Sequence, residues 1–211
     1  MNLLDIQKSV EITPVTYDDV EKTSTTGFLQ GVNRSFKVTF DGNTYLFKPQ
    51  KSEHVSSWRY VPPKSLYVRE YATYLVDKFL EFGLVPEVKI INLNGDIGSG
   101  QKWIDYAYHI TEDQDNFVNV LNQEDLYRAG LFDIIIGNID RHGNNFMIQL
   151  CKTKEYEEFE LEDEIEIEID GVPCLGYSMS SIVEMCGLQY KISLVLIDNG
   201  YSFPDKLGPN S

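Results

Sequence analysis

Asp140-Arg141-His142-Gly143-Asn144-Asn145 is the stretch that decides the reading. It follows the apolar run Leu126 to Ile136, which Asn122 can cap and Gly137 can end, so the spacing predicts a helix there. It leads into Asn145 to Leu150, a short apolar strand. An Asp with an Asn five places later puts two oxygen-bearing side chains on one short loop, and Gly143 lets that loop turn tightly. Asp and Asn also serve as ordinary loop caps, so the pair needs companions before it carries chemistry.

Three companions lie in order along the chain. Phe47-Lys48-Pro49 closes an early strand, Glu70 lies in the helix after it, and Leu196-Ile197-Asp198-Asn199-Gly200 ends a late strand, Ser193 to Ile197. A nucleoside triphosphate brings about four negative charges, so a phosphoryl-transfer site must supply cations and metal. In that reading Lys48 binds the α- and β-phosphates and Glu70 holds Lys48 by an ion pair. Asp140 accepts or orients the proton of the attacking hydroxyl. Asn145 and Asp198 ligate Mg²⁺, a hard cation that prefers oxygen. Gly31 and Ser35, just before a strand at Phe36, are candidates to cover the phosphates. His142 is assigned a structural or phosphate-proximal place, because Asp140 already fills the base position. Gly95 to Lys102 resembles a phosphate-binding loop, but no Ser or Thr follows the lysine, so it is read as a hairpin turn.

The rest of the N-terminal half organises around these residues. The first 26 residues are polar and read as a lead-in arm. Phe36, Val38 and Phe40 alternate with polar residues, Asp41-Gly42-Asn43 is a turn signal, and Tyr45 to Phe47 return as a strand. Leu66 to Phe82 reads as a helix with Tyr71, Leu75, Phe79 and Phe82 on its apolar face and Gly83 as its C-cap. Val88 to Leu93 and Trp103 to Ile110 read as a hairpin around a turn from Asn94 to Gly100.

Composition bounds the partners. The chain has 211 residues, with 18 Lys and Arg against 33 Asp and Glu, a net charge of −15. That excludes a broad phosphate-neutralising surface, so no nucleic-acid partner is expected. No apolar run is long enough for a transmembrane helix, so no membrane insertion is expected. Three scattered cysteines argue against a disulfide scaffold or a zinc cluster and fit a reducing, cytoplasmic compartment. Cys151 to Asp170 holds two Lys and ten Asp or Glu, with Glu at even positions from 158 to 168 and mostly apolar residues between them. That period of two predicts a strand with one acidic face, followed by a turn at Asp170-Gly171. The acidic face is a solvated surface or a dock for a basic protein.

The ordered set resembles the phosphatidylinositol 3/4-kinase-like superfamily, most closely type II phosphatidylinositol 4-kinases and related bacterial and phage kinase-like proteins. The matching stretches are Phe47 to Pro49, Tyr67 to Asp77, Leu84 to Pro86, Phe132 to Arg141 with Asn145, and Ile197 to Gly200 with Phe203-Pro204. The resemblance implies an α+β chain with a compact two-lobe protein-kinase-like fold. An N-lobe would span 27–107 and a reduced C-lobe 108–211, the latter carrying the acidic β-hairpin insertion at 151–192. It implies that the linker near Tyr106 and Tyr108 contacts adenine, and that Asp133 braces the catalytic loop. Eleven residues follow Gly200, where lipid kinases continue into a lipid-facing helical region, and no cysteine lies between Gln50 and Lys64. The expectation is therefore an ATP- and Mg²⁺-dependent kinase acting on a protein or small-molecule hydroxyl. The alternatives are a nucleotide-binding pseudokinase or structural module of a larger assembly, and a phosphoinositide kinase completed by a partner.

Overall fold

The computed structural model describes residues 12–16, 35–55, 61–105, 107–109, 121–151, 164–169, 172–177 and 191–204. The first layer is a five-stranded sheet in the order β1-β4-β5-β3-β2. Its strands are β1 (Ile12–Val15), β2 (Phe36–Phe40), β3 (Asn43–Pro49), β4 (Val88–Leu93) and β5 (Asp96–Lys102). β2 and β3 join at Asp41 and Gly42, both with positive φ, the conformation a tight two-residue hairpin requires. Their inward residues Val38, Phe40, Tyr45 and Phe47 pack with Val15, Ile91 and Leu93.

Two features of this sheet differ from the sequence reading. β1 lies within the stretch read as an arm and pairs in parallel with β4, Ile12 opposite Ile90 and Val15 opposite Leu93. The turn after β4 is only Asn94-Gly95, both at positive φ, and the returning strand is β5 rather than Trp103 to Ile110. Gly98 and Gly100, which suggested a turn, are strand residues. A Cβ at Gly98 would run into the Lys48 carbonyl oxygen, and one at Gly100 into the Ile91 side chain. Glycine here permits close strand approach rather than a reversal.

Helix α1 (Leu66–Leu80) packs Tyr67 and Val68 against Ile90 of the sheet. Its first two amides donate to Glu53, Leu66 N to Oε2 at 3.0 Å and Tyr67 N to Oε1 at 2.9 Å. A carboxylate at this end meets both unpaired N–H groups and the positive pole of the helix. Burial pushes the Glu53 pKa up, with those two amides opposing the shift. Glu81, not Gly83, is the left-handed C-cap. Tyr71 and Phe82 of the predicted apolar face pack against apolar clusters, and one member of that face is corrected. Phe79 is 85% exposed, whereas the buried positions include Arg69, Glu70, Thr73 and Asp77. The charged ones are buried beside Leu66, Tyr67, Val68 and Ala72 because they find partners there. Asp77, for instance, accepts from Leu84 N and Val85 N at 3.1 and 3.3 Å and fixes the turn after the helix.

The second layer is a three-stranded sheet, β10-β7-β6, with β6 (Ala107–His109), β7 (Phe146–Cys151) and β10 (Lys191–Leu196). β6 thus pairs with β7 and belongs to this layer, not to a hairpin with β4. Helix α2 (Gln123–Ile136) covers it, capped by Asn122, whose side chain accepts from Glu124 N at 3.0 Å, and ended by Gly137 at φ 60°. Phe132, Ile136, Ile148, Leu194 and Leu196 form its core with Leu84 and Val85. Between β7 and β10 the strands β8 (Glu164–Ile169) and β9 (Val172–Tyr177) form a two-stranded hairpin, Glu164 opposite Tyr177 and Ile169 opposite Val172. Glu158, Glu160 and Glu162 lie outside the described residues. No described helix is long and apolar enough to cross a membrane.

Candidate active site

Lys48 ends β3 with its side chain on the α1 side of the sheet. Its Nζ donates to Glu70 Oε1 at 2.6 Å and to Asp198 Oδ1 at 3.1 Å, joining residues 150 positions apart. The two carboxylates differ in setting. The Glu70 side chain is 5% exposed and that of Asp198 is 50% exposed, so Lys48 bridges a buried anion to one that faces solvent. Burial alone would lower the Lys48 pKa, but the charges of Asp198 and Glu70 outweigh it and hold the pKa above the ordinary lysine value. The Asp198 carboxyl is held below its ordinary value, chiefly by the Lys48 charge, against the opposing effect of burial. His142 and Arg141 add to that lowering.

The second oxygen of Glu70 is also engaged. Ser99, fully buried on β5 and directly opposite Lys48 in the strand register, donates its hydroxyl to Glu70 Oε2 at 2.7 Å. The sequence reading did not single out Ser99, because its setting between two glycines resembled a turn.

Asp198 itself sits at φ 52°, a left-handed conformation that Asp tolerates better than most residues. It opens the 3-10 turn Asn199–Tyr201. That turn lies against α1, and a Cβ at Gly200 would stand 3.1 Å from Leu66 Cβ. Arg69, next to Glu70, reaches the other way. Its Nη1 donates to the carbonyls of Ser202 (2.8 Å) and Phe203, just past the turn.

The loop at Asp140 is built on Arg141. Its guanidinium donates to Asp133 Oδ1 and Oδ2 at 3.0 Å, to Ile197 O at 2.9 Å, to Asn145 O at 3.1 Å and to Asn199 Oδ1 at 2.6 Å. One planar fork therefore ties the end of α2, the Asn145 turn and the Asp198 segment together. Asn145 is buried, and its Nδ2 donates to Asp140 O at 2.8 Å, which leaves its carboxamide oxygen as the end suited to a cation. Asn199 spends its oxygen on Arg141 and its nitrogen on Leu196 O, so it braces the turn. Asp198 and Asn145 are hard oxygen donors, the type Mg²⁺ takes alongside phosphate and water, so the residues present fit that ion. Among the described residues no group of three or more His, Cys, Asp or Glu is gathered that could hold a metal by itself.

The remaining candidates separate. Tyr108 lies in β6 opposite Ile148. Ser35 is buried just before β2 and makes no hydrogen bond to the Lys48 cluster. Gly31 and Tyr106 lie outside the described residues.

No family model and no curated protein matches the sequence. Among solved structures, the chain matches the crystal structure of a Helicobacter pylori proinflammatory kinase, CtkA, with a TM-score of 0.55 and 11% identity. The fold is kinase-like. The match covers 93% of this chain and 63% of CtkA, so the chain spans less than two thirds of that kinase. At this identity the likeness reaches the kinase fold, and not the phosphatidylinositol 3/4-kinase-like superfamily in particular. In a kinase-like fold, the Lys48 cluster lies between the five-stranded layer with α1 and the layer that carries Asp140, Asn145 and Asp198.

Proposed function

We propose that the chain is an ATP- and Mg²⁺-dependent phosphotransferase that acts on a protein or small-molecule hydroxyl. The observation that carries this reading is the position of the Lys48 amine, 2.6 Å from Glu70 and 3.1 Å from Asp198. A cation fixed by a buried anion, beside a solvent-facing carboxylate, suits a polyphosphate with its metal. Lys48 would hold the α- and β-phosphates and Glu70 would hold Lys48. Asn145 and Asp198 would hold Mg²⁺, which supplies charge neutralisation on the phosphate oxygens. Asp140 would orient the acceptor hydroxyl and take its proton. The acceptor oxygen then bonds to the γ-phosphorus as the bond from that phosphorus to the β,γ-bridging oxygen breaks, and ADP leaves with that electron pair. The net charge of −15 favours a basic protein over an anionic lipid surface as acceptor.

The test is ATP turnover by the purified chain and by the Asp140→Asn and Asp198→Asn variants, with thermal melts in Mg-ATP beside it. Both variants are expected to melt cooperatively and to lose turnover by at least a hundredfold. Unchanged turnover in Asp198→Asn rejects the reading. Stabilisation of the native chain by Mg-ATP without turnover would leave a nucleotide-binding module in its place.

A further inference from the structure

We infer that Ser99 is the positioning residue of this site, fixing the Lys48 amine through Glu70. The inference rests on the phosphotransferase reading for its consequence in catalysis, and on geometry alone for the positioning itself. Glu70 has two carboxylate oxygens and they are separately satisfied, Oε1 by Lys48 at 2.6 Å and Oε2 by Ser99 at 2.7 Å. Glu70 is 4% exposed and Ser99 is 0% exposed. Water is a poor substitute donor there, and an acceptor buried without its partner loses more than the bond is worth in water. With one oxygen pinned to the sheet, the carboxylate plane is set. The other oxygen then faces the strand neighbour of Ser99, which is Lys48.

The local sequence is shaped for this placement. Gly98 and Gly100 flank Ser99, and a Cβ at either would collide, with the Lys48 carbonyl at Gly98 and with Ile91 at Gly100. The Gly98-Ser99-Gly100 triplet thus lets β5 close on β3 at Gly98 and leaves room for the β4 residue Ile91 at Gly100, and it delivers a single hydroxyl beneath Glu70. A surface turn would need none of this.

The experiment compares the full chain with Ser99→Ala and Ser99→Thr. The first readout needs no nucleotide. It is the rate at which the Lys48 amine is acylated by acetic anhydride at pH 8, followed by mass spectrometry against the exposed Lys51 as internal reference. Ser99→Ala is expected to raise that rate severalfold, because a Glu70 carboxylate no longer pinned through its second oxygen lets the amine leave its closed place and meet the reagent, and Ser99→Thr is expected to restore it. The second readout is KM for ATP against kcat. Ser99→Ala is expected to raise KM about tenfold, the usual scale of one hydrogen bond to a charged group, with a smaller change in kcat. Lys48 acylation equal to wild type in Ser99→Ala overturns the inference, whatever the nucleotide data. Altered acylation with no ATP turnover in the wild type leaves the positioning intact and overturns the phosphotransferase reading instead. If Ser99→Ala does not fold, Ser99→Cys, close in shape but a weak donor, is read in its place against the same outcomes.

Discussion

Arg141→Met is the substitution whose cost follows most directly from the geometry. The guanidinium side chain is 9% exposed and its partner Asp133 is 18% exposed. Methionine keeps much of the stem's volume but removes every donor. It strands the Asp133 carboxylate, the Asn199 carboxamide oxygen and the Ile197 carbonyl, and leaves the Asn145 carbonyl with the Ile197 amide alone. Breaking a buried pair from one side costs about 3–5 kcal/mol. Asp133 retains some solvent and a long contact from Asn138 Nδ2 at 3.4 Å, which places the expected loss at the low end, about 3 kcal/mol. For a chain of this size that is a fall in Tm of about 6–12 °C. It is also a large part of the roughly 5–15 kcal/mol that holds a typical domain folded. The assay is urea unfolding by circular dichroism, with Arg141→Met, Asp133→Asn and the double variant forming a cycle. The double variant should be less destabilised than the sum of the singles, since neutralising Asp133 removes the stranded charge. A loss below about 1 kcal/mol in Arg141→Met with an unchanged urea slope would refute the reasoning.

Two further outcomes are expected. The stability contributed by the Lys48–Asp198 pair is level through neutral pH. The raised Lys48 contribution is complete below the ordinary lysine pKa of about 10.4 and is lost as pH climbs through the raised value. The lowered Asp198 contribution is complete above the ordinary carboxyl pKa of about 3.9 and is lost as pH falls through the lowered one. The stability difference between wild type and Lys48→Met, measured by urea melts at each pH, should therefore stay flat from about pH 5 to 9 and shrink both below about pH 4 and above about pH 10. A steep change near pH 7 would contradict this pairing. Gly98→Ala should destabilise by about 1–3 kcal/mol, as overpacking does, because its methyl meets backbone and not a movable side chain. A stability gain there, of the kind Gly→Ala gives in open sites, would mean that β5 does not approach β3 as described.

Much of the second layer was legible from local signals alone. Asn122, Gly137 and the apolar run between them define α2 because capping and periodicity are properties of a few adjacent residues. The Asp41-Gly42 hairpin follows from turn chemistry in the same way. Lys48, Glu70 and Asp198 were found by their order, and the structure brings them together. What escaped depends on partners distant in sequence. β1 is a short polar-flanked strand with Pro14 inside it, and only its parallel pairing with β4 makes it a strand. Gly98 and Gly100 look like turn residues until Lys48 and Ile91 are seen against them. Phe79 appeared to belong to the core because a 3.6-residue pattern assigns the apolar stripe inward, and here the inward face is shared between apolar residues and the charged Arg69, Glu70 and Asp77.

The buried charges on α1 bear on how the site keeps its shape. Apolar burial by itself is not directional. Besides its apolar contacts, the α1 helix is held by bonds with defined geometry at four levels. Glu53 takes its first amides, and Arg69 grips the carbonyls of Ser202 and Phe203. Glu70 meets Lys48 and Ser99, and Asp77 takes the amides of Leu84 and Val85. Arg69 and Glu70 are neighbours on the helix yet point to different structures, one to the segment after Asp198 and one to the β3–β5 pair. A shift of the helix would therefore break bonds on both sides at once. The separation of the Glu70 and Asp198 carboxylates, and with it the place of the Lys48 amine between them, is set by the same helix that each of those carboxylates adjoins. The arrangement is assembled by the fold itself, before any phosphate arrives.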